Sequence, residues 1–238
     1  MTDKENVKNE MDEQINKEIG SDHKNESNFI RDVFNFKTLF RNFKEMKVYF
    51  FISTMLFLFG GFIGFYVDIL DPFLQPLLQR IGELAEKIES SENTQLAAFL
   101  VIFQNNLTAS LIMVYSGIIF SIYPIFALLL NGMLIGYLFK LVPQSGSEYG
   151  LLELFLRGIL PHGILEIPAI LIASAYGIKF GVLVMKWLAQ FVELDLRRKN
   201  TLEFKKFLKL TITLVIFTFI TLMLAAIIES TITPMLLR

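Results

Sequence analysis

Residues 93–139 read "NTQLAAFLVIFQNNLTASLIMVYSGIIFSIYPIFALLLNGMLIGYLF", and no charged side chain interrupts them. A helix needs about 20 residues, at about 1.5 Å each, to cross the hydrocarbon core of a bilayer. This stretch is therefore too long for one crossing and long enough for two. Near its middle, "SGIIFSIYP" offers a break before Pro124, because proline cannot donate to the helical ladder. Two spans are expected, at about 97–118 and 123–141.

Composition agrees with a membrane protein. Hydrophobic residues make up 53% of the chain, Phe alone contributes 24, and charged residues only 19%. The mean hydropathy is +0.52. Cysteine is absent, which removes disulfides, thiolate metal sites and thiol nucleophiles. Outward from the central stretch, uncharged runs at about 48–67 and 210–228 each match one crossing, and an apolar segment at about 151–176 makes a further one. The expected fold class is all-α: a polytopic transmembrane bundle of about five spans, filling 48–238.

The flanks differ in character. Residues 1–28 hold eight Asp or Glu against four Lys, are rich in Asn, and are expected to be a disordered cytoplasmic tail without a cleavable leader. His23 lies there as a solvated side chain. Over 29–47, Val33, Phe36, Phe40 and Phe43 recur at helical spacing opposite Lys37, Arg41 and Lys44, the pattern of a basic amphipathic helix beside the membrane. Between the first two spans, Leu74, Leu77, Leu78, Ile81, Leu84 and Ile88 form one apolar stripe on an otherwise charged helix. After the fourth, "GIKFGVLVMKWLAQFVELDLRRKN" carries Lys186, Gln190, Glu193 and Arg197 on one side, so 178–196 is expected to lie at the interface or against the bundle.

Orientation follows from the basic residues. Five occur between Arg31 and Lys47 and eight between Lys179 and Lys209, against two in the acidic segment from Asp71 to Gln95. The amino terminus is expected inside and, with five crossings, the carboxyl terminus outside. Small residues recur four apart at Gly60 and Gly64, at Gly132 and Gly136, and at Ala169, Ala173 and Gly177, where they let backbones approach. General bundle packing is the plainer reading, and a homo-oligomer contact the sharper one.

The polar residues concentrate in "RGILPHGILEIPAILIA", residues 157–173. Pro161 and Pro168 predict a bent or broken helix at membrane depth, whose freed backbone groups need partners inside the protein. His162 and Glu166, four apart, share a face beside Gly163 and can serve. An intramembrane carboxylate is a functional candidate by default. The competing roles are a structural clasp, a proton or ion relay, and catalysis. Asn105, Asn106 and Asn131 are candidate neutral partners for it, and Glu153 and Arg157 are spaced to pair at the start of the segment.

"PHGILEIPAILIASAYGIKFG", together with "LLLNGMLIG" upstream, resembles the stage II sporulation protein M family of integral membrane proteins. Pro161, His162, Gly163, Glu166, Pro168, Ala169, Gly177 and Gly181 follow the family pattern in order, and Asn131 and Gly132 match its upstream element. The resemblance runs from about Phe36 to the carboxyl end, and the acidic tail is not part of it. It implies, in spore formers, a scaffold that gathers peptidoglycan-degrading partners during engulfment, and in other bacteria and archaea relatives whose roles are largely unknown.

Three function classes compete. A non-enzymatic membrane scaffold is expected, with membrane lipids and membrane or cell-envelope proteins as partners. The alternative is a transporter or permease subunit using His162 and Glu166. An intramembrane hydrolase lacks its parts: the membrane body has one histidine, so no H-E-x-x-H zinc site forms, and Ser116 and Ser174 are ordinary small residues of spans. No cofactor is expected. No phosphate loop and no basic-aromatic nucleic-acid surface is present.

Overall fold

The computed structural model describes residues 36–144, 160–189, 197–232 and 235, with side chains over 37–143, 163–189, 203–232 and 235. The acidic tail, and Glu153 with Arg157, lie outside the described residues. Seven helices and no strand occur among the described residues: α1 (Phe36–Glu45), α2 (Lys47–Tyr66), α3 (Asp71–Glu89), α4 (Thr94–Tyr115), α5 (Ile122–Leu141), α6 (Leu160–Ala189) and α7 (Arg197–Thr231). Among the described residues, five stretches are long and apolar enough to cross a membrane: Lys47–Tyr66, Thr94–Ile118, Ile122–Leu141, Gly163–Ala189 and Glu203–Thr231. The protein is a polytopic helical bundle, and its exposed Phe51, Leu58, Phe59 and Phe62 on α2 face the position of lipid.

The expected break at Pro168 is not there. α6 runs through Pro168 as one helix of 30 residues, and Pro161 falls in its first turn, where no donor is missed. The energetics favour continuity at this depth. An interior proline costs about 3 kcal/mol, whereas a break would strand several backbone groups in lipid at several kcal/mol each. The same helix continues as far as Ala189, so the described part of 178–196 is no separate interfacial element. Nothing between Gly177 and Ala189 can stop a helix, since both glycines there serve contact.

α2 and α5 touch along their backbones. A Cβ added to Gly60 would overlap the Leu129 carbonyl, one on Gly64 the Met133 carbonyl, one on Gly132 the Phe57 carbonyl and one on Gly136 the Gly61 carbonyl. Residue numbers rise together along both helices, so they run parallel. Parallel neighbours need one crossing between them, and α4 supplies it. The paired small-residue motifs are thus consumed inside the chain, as helix packing in lipid, where backbone proximity replaces the hydrophobic effect.

Two elements sit outside the spans. α3 follows a short turn, Asp68–Leu70, and of its side chains only Leu74 is fully buried. Asn93 then caps α4 by accepting from the Leu96 amide at 3.0 Å. α1 lays its inner face, Leu39 and Asn42, onto the bundle beside the buried Met46 that follows it, with Lys37, Arg41 and Lys44 exposed.

Candidate functional site

Of the five candidate spans α6 is the most buried, and its middle reads "ASAYGIKFG", residues 173–181. Ala173, Ser174, Ala175 and Tyr176 are fully buried there, and Ile178 and Phe180 nearly so. Gly177 and Gly181 make room for the turn between α4 and α5. A Cβ on Gly177 would meet the Met113 carbonyl, and one on Gly181 would lie 2.7 Å from the Gly117 carbonyl oxygen. Into that space the turn brings Phe120 and Ser121 at φ 49° and 65°, a left-handed backbone that costs side-chain-bearing residues energy unless contacts hold it. The Ser121 hydroxyl donates to the Ile178 carbonyl at 2.9 Å, and Ser174 donates to the Pro124 carbonyl at 3.3 Å. These bonds fasten the turn to α6.

The other side of the same segment receives α1 and α7. The Tyr176 hydroxyl donates to Asn42 Oδ1 at 3.3 Å, both groups being buried. Phe43 meets the rings of Tyr176 and Phe217 edge-on at 6.2 and 6.0 Å, and Phe207 lies against Tyr176 and Phe180 at 5.6 and 5.4 Å. Lys179 sets its ammonium 5.9 Å from the centre of the Phe207 ring. Exposed pairs, Lys206 with Glu45 at 3.3 Å and Lys186 with Glu203 at 3.8 Å, rim this junction. Such pairs contribute about 0–1 kcal/mol, so aromatic packing holds the junction together.

The residues singled out in the sequence fall in different environments. Gly163 and Ala169 are buried, Glu166 is half-buried, and Ile164 and Pro168 are exposed. The side chains of Pro161 and His162 lie outside the described residues. Glu166 lies three residues inside the start of the candidate span Gly163–Ala189. Asn131 donates to the Ala127 carbonyl of its own helix at 2.8 Å, and Asn105 donates to Asn106 at 3.3 Å on the exposed surface of α4. Asn105 therefore faces away from the bundle.

One site escaped the sequence reading altogether. Lys140, at the end of α5, reaches Asp68 at 2.6 Å and both oxygens of Asp71 at 2.6 and 2.8 Å. The clamp ties α5 to the start of α3, on the side of the bundle opposite the aromatic junction. The signal was present: Lys140 is the first charge after the long uncharged run, and Asp68 and Asp71 are the first after α2.

Residues 53–234 match the family described as stage II sporulation protein M. The chain belongs to this family. The match takes in most of α2 and all of α3–α7, hence the glycine contacts, the clamp and the α6 side of the junction. It leaves out α1, although Asn42 and Phe43 seat on Tyr176. Two relatives, both described only as uncharacterised proteins, come from Methanocaldococcus jannaschii. One is 25% identical over 213 residues, covering 86% of this chain and 90% of its own length. The other is 30% identical over 191 residues, covering 79% and 96%. No solved structure matches.

Proposed function

We propose that this member of the stage II sporulation protein M family is a multi-pass membrane scaffold without catalytic activity, which gathers membrane or cell-envelope proteins. The observation that carries the reading is α3. It is anchored at one end by Leu74 and the Lys140 clamp, yet Ile81 and Leu84 of its apolar stripe stay 51% and 43% exposed. An anchored helix with an uncovered stripe is a docking surface. The distribution of basic residues supports an orientation with the amino terminus and the aromatic junction in the cytoplasm and α3 outside, facing the envelope. The partners are then envelope proteins, peptidoglycan-degrading enzymes among them.

The test is co-purification from cross-linked membranes of the wild type and of a variant with Leu77, Leu78, Ile81 and Leu84 changed to Gln. Loss of envelope proteins from the variant, with its thermal stability kept, supports docking on α3. The same proteins recovered with both chains would refute it. A transport role remains attached to Glu166, which is half-buried near the start of the candidate span Gly163–Ala189. Its mark would be a proton or ion flux in proteoliposomes that Glu166→Gln abolishes while the fold persists.

A further inference from the structure

The outward face of α4 carries polar side chains where lipid can satisfy none of them. Leu100, Gln104, Asn105, Thr108, Ile112 and Tyr115 are all exposed. Leu100, Gln104, Thr108, Ile112 and Tyr115 follow one another by a helical turn and form a single stripe, with Asn105 on its flank. Gln104 lies ten residues from Thr94 and fourteen from Ile118, about 15 and 21 Å from the two ends of that span. It is near the middle of the span. Among the described residues, neither Gln104 nor Thr108 has a side-chain hydrogen bond, and Asn105 bonds only to its neighbour Asn106.

A carboxamide left unpaired in hydrocarbon is strongly disfavoured, so a surface like this is covered by protein. The chemistry of the cover can be read from the groups themselves. Gln and Asn each present a donor pair and an acceptor, carry no charge, and so complement another copy of themselves. Two copies inserted the same way are related by an axis along the membrane normal, which brings each residue on the axis against its own counterpart. Gln104 would meet Gln104, with Thr108 one turn away and small enough to allow close approach. The glycine pairs cannot supply a dimer contact, because Gly60, Gly64, Gly132 and Gly136 are occupied between α2 and α5.

We propose that the protein forms a parallel homodimer in the membrane through α4, closed near the middle of the span by reciprocal hydrogen bonds between the Gln104 carboxamides and bordered by Leu100, Asn105, Thr108 and Ile112. This goes beyond the scaffold reading and does not depend on it. A dimer would present two copies of α3 on one platform.

The chain has no cysteine, so single cysteines report the interface directly. Leu100→Cys and Thr108→Cys, oxidised in native membranes, should give disulfide-linked dimers, while Phe59→Cys on the exposed face of α2 should not. In liposomes of graded protein density, energy transfer between labelled copies should show the Gln104→Leu, Asn105→Leu chain dissociating at roughly tenfold higher density than the wild type. Thermal stability of the variant in detergent, unchanged or raised, separates lost association from lost fold. A wild-type chain that stays monomeric at all densities, or cross-linking as efficient at Phe59→Cys as on α4, overturns the proposal. So does a variant that folds and dimerises as the wild type does.

Discussion

Gly60 and Gly61 are sequence neighbours on α2, and the packing predicts opposite responses to the same substitution. A Cβ on Gly60 would lie 3.1 Å from the Leu129 carbonyl carbon and 3.2 Å from its Cα, and closer still to the oxygen. Carbon atoms rest at about 3.5–4.0 Å, so Gly60→Ala must push α2 and α5 apart by about 0.5–1 Å. The obstacle is backbone, which cannot rotate out of the way. A gap of that size forfeits a quarter to a half of each contact along the crossing, and overpacking of this kind costs about 1–3 kcal/mol. Gly61→Ala places its Cβ 3.7 Å from the Gly132 carbonyl oxygen, an ordinary contact. There the gain in helix propensity, about 0.5–1 kcal/mol, stands unopposed. Unfolding of both variants in mixed micelles, followed by circular dichroism, should therefore show a clear loss for Gly60→Ala and none for Gly61→Ala. Equal effects at the two positions would show that α2 and α5 do not meet as described.

Three further outcomes follow from single contacts. Tyr176→Phe removes one buried hydrogen bond and leaves Asn42 Oδ1 without its donor, a loss of about 1–3 kcal/mol read in the same unfolding assay, with Asn42→Leu, Tyr176→Phe recovering part of it. Pro168→Ala restores the amide that α6 lacks at that position and should raise the unfolding midpoint, whereas a lowered midpoint would mean that the helix needs its proline. Lys140→Met leaves Asp68 and Asp71 facing each other without their cation. It should speed proteolysis within α3, and the exchange of Lys140→Asp with Asp71→Lys should slow it again.

Much of the bundle could be read from the sequence because lipid imposes lengths. The uncharged runs at 48–67 and 210–228, and the doubled run at 93–139 with its break before Pro124, all return as membrane-length helices. The middle of α6 was harder. Pro168 signals a break in water, where freed backbone groups find solvent, and the opposite balance holds in hydrocarbon. Which face of a span points inward was not legible either. Lipid and protein interior are equally apolar, so periodicity that separates core from surface in a soluble helix is nearly silent here. That is why Asn105 was assigned to the bundle and lies outside it. The Lys140 clamp joins residues about 70 positions apart, and only the folded chain brings them together. The motif "SAYGIKFG" is plain in the sequence, but only the folded chain shows that its glycines seat the α4–α5 turn.

The junction on α6 also sets an order of events during synthesis. α1 is made first, but beyond the nearby Phe40 and Phe50 the rings against Phe43 come from Tyr176 and Phe217, more than 130 residues downstream. At about 5–20 residues per second, Phe43 waits roughly 9–35 s for Phe217 to be made. Until then α1 has only part of its seat, beginning with Phe50 at 5.4 Å, and the membrane surface is the nearest substitute for the rest. The exposed Lys37, Arg41 and Lys44 would hold it there against anionic headgroups until the last helix arrives. A ribosome stalled before Leu210 should accordingly carry an α1 open to protease, and one stalled beyond Thr231 should not.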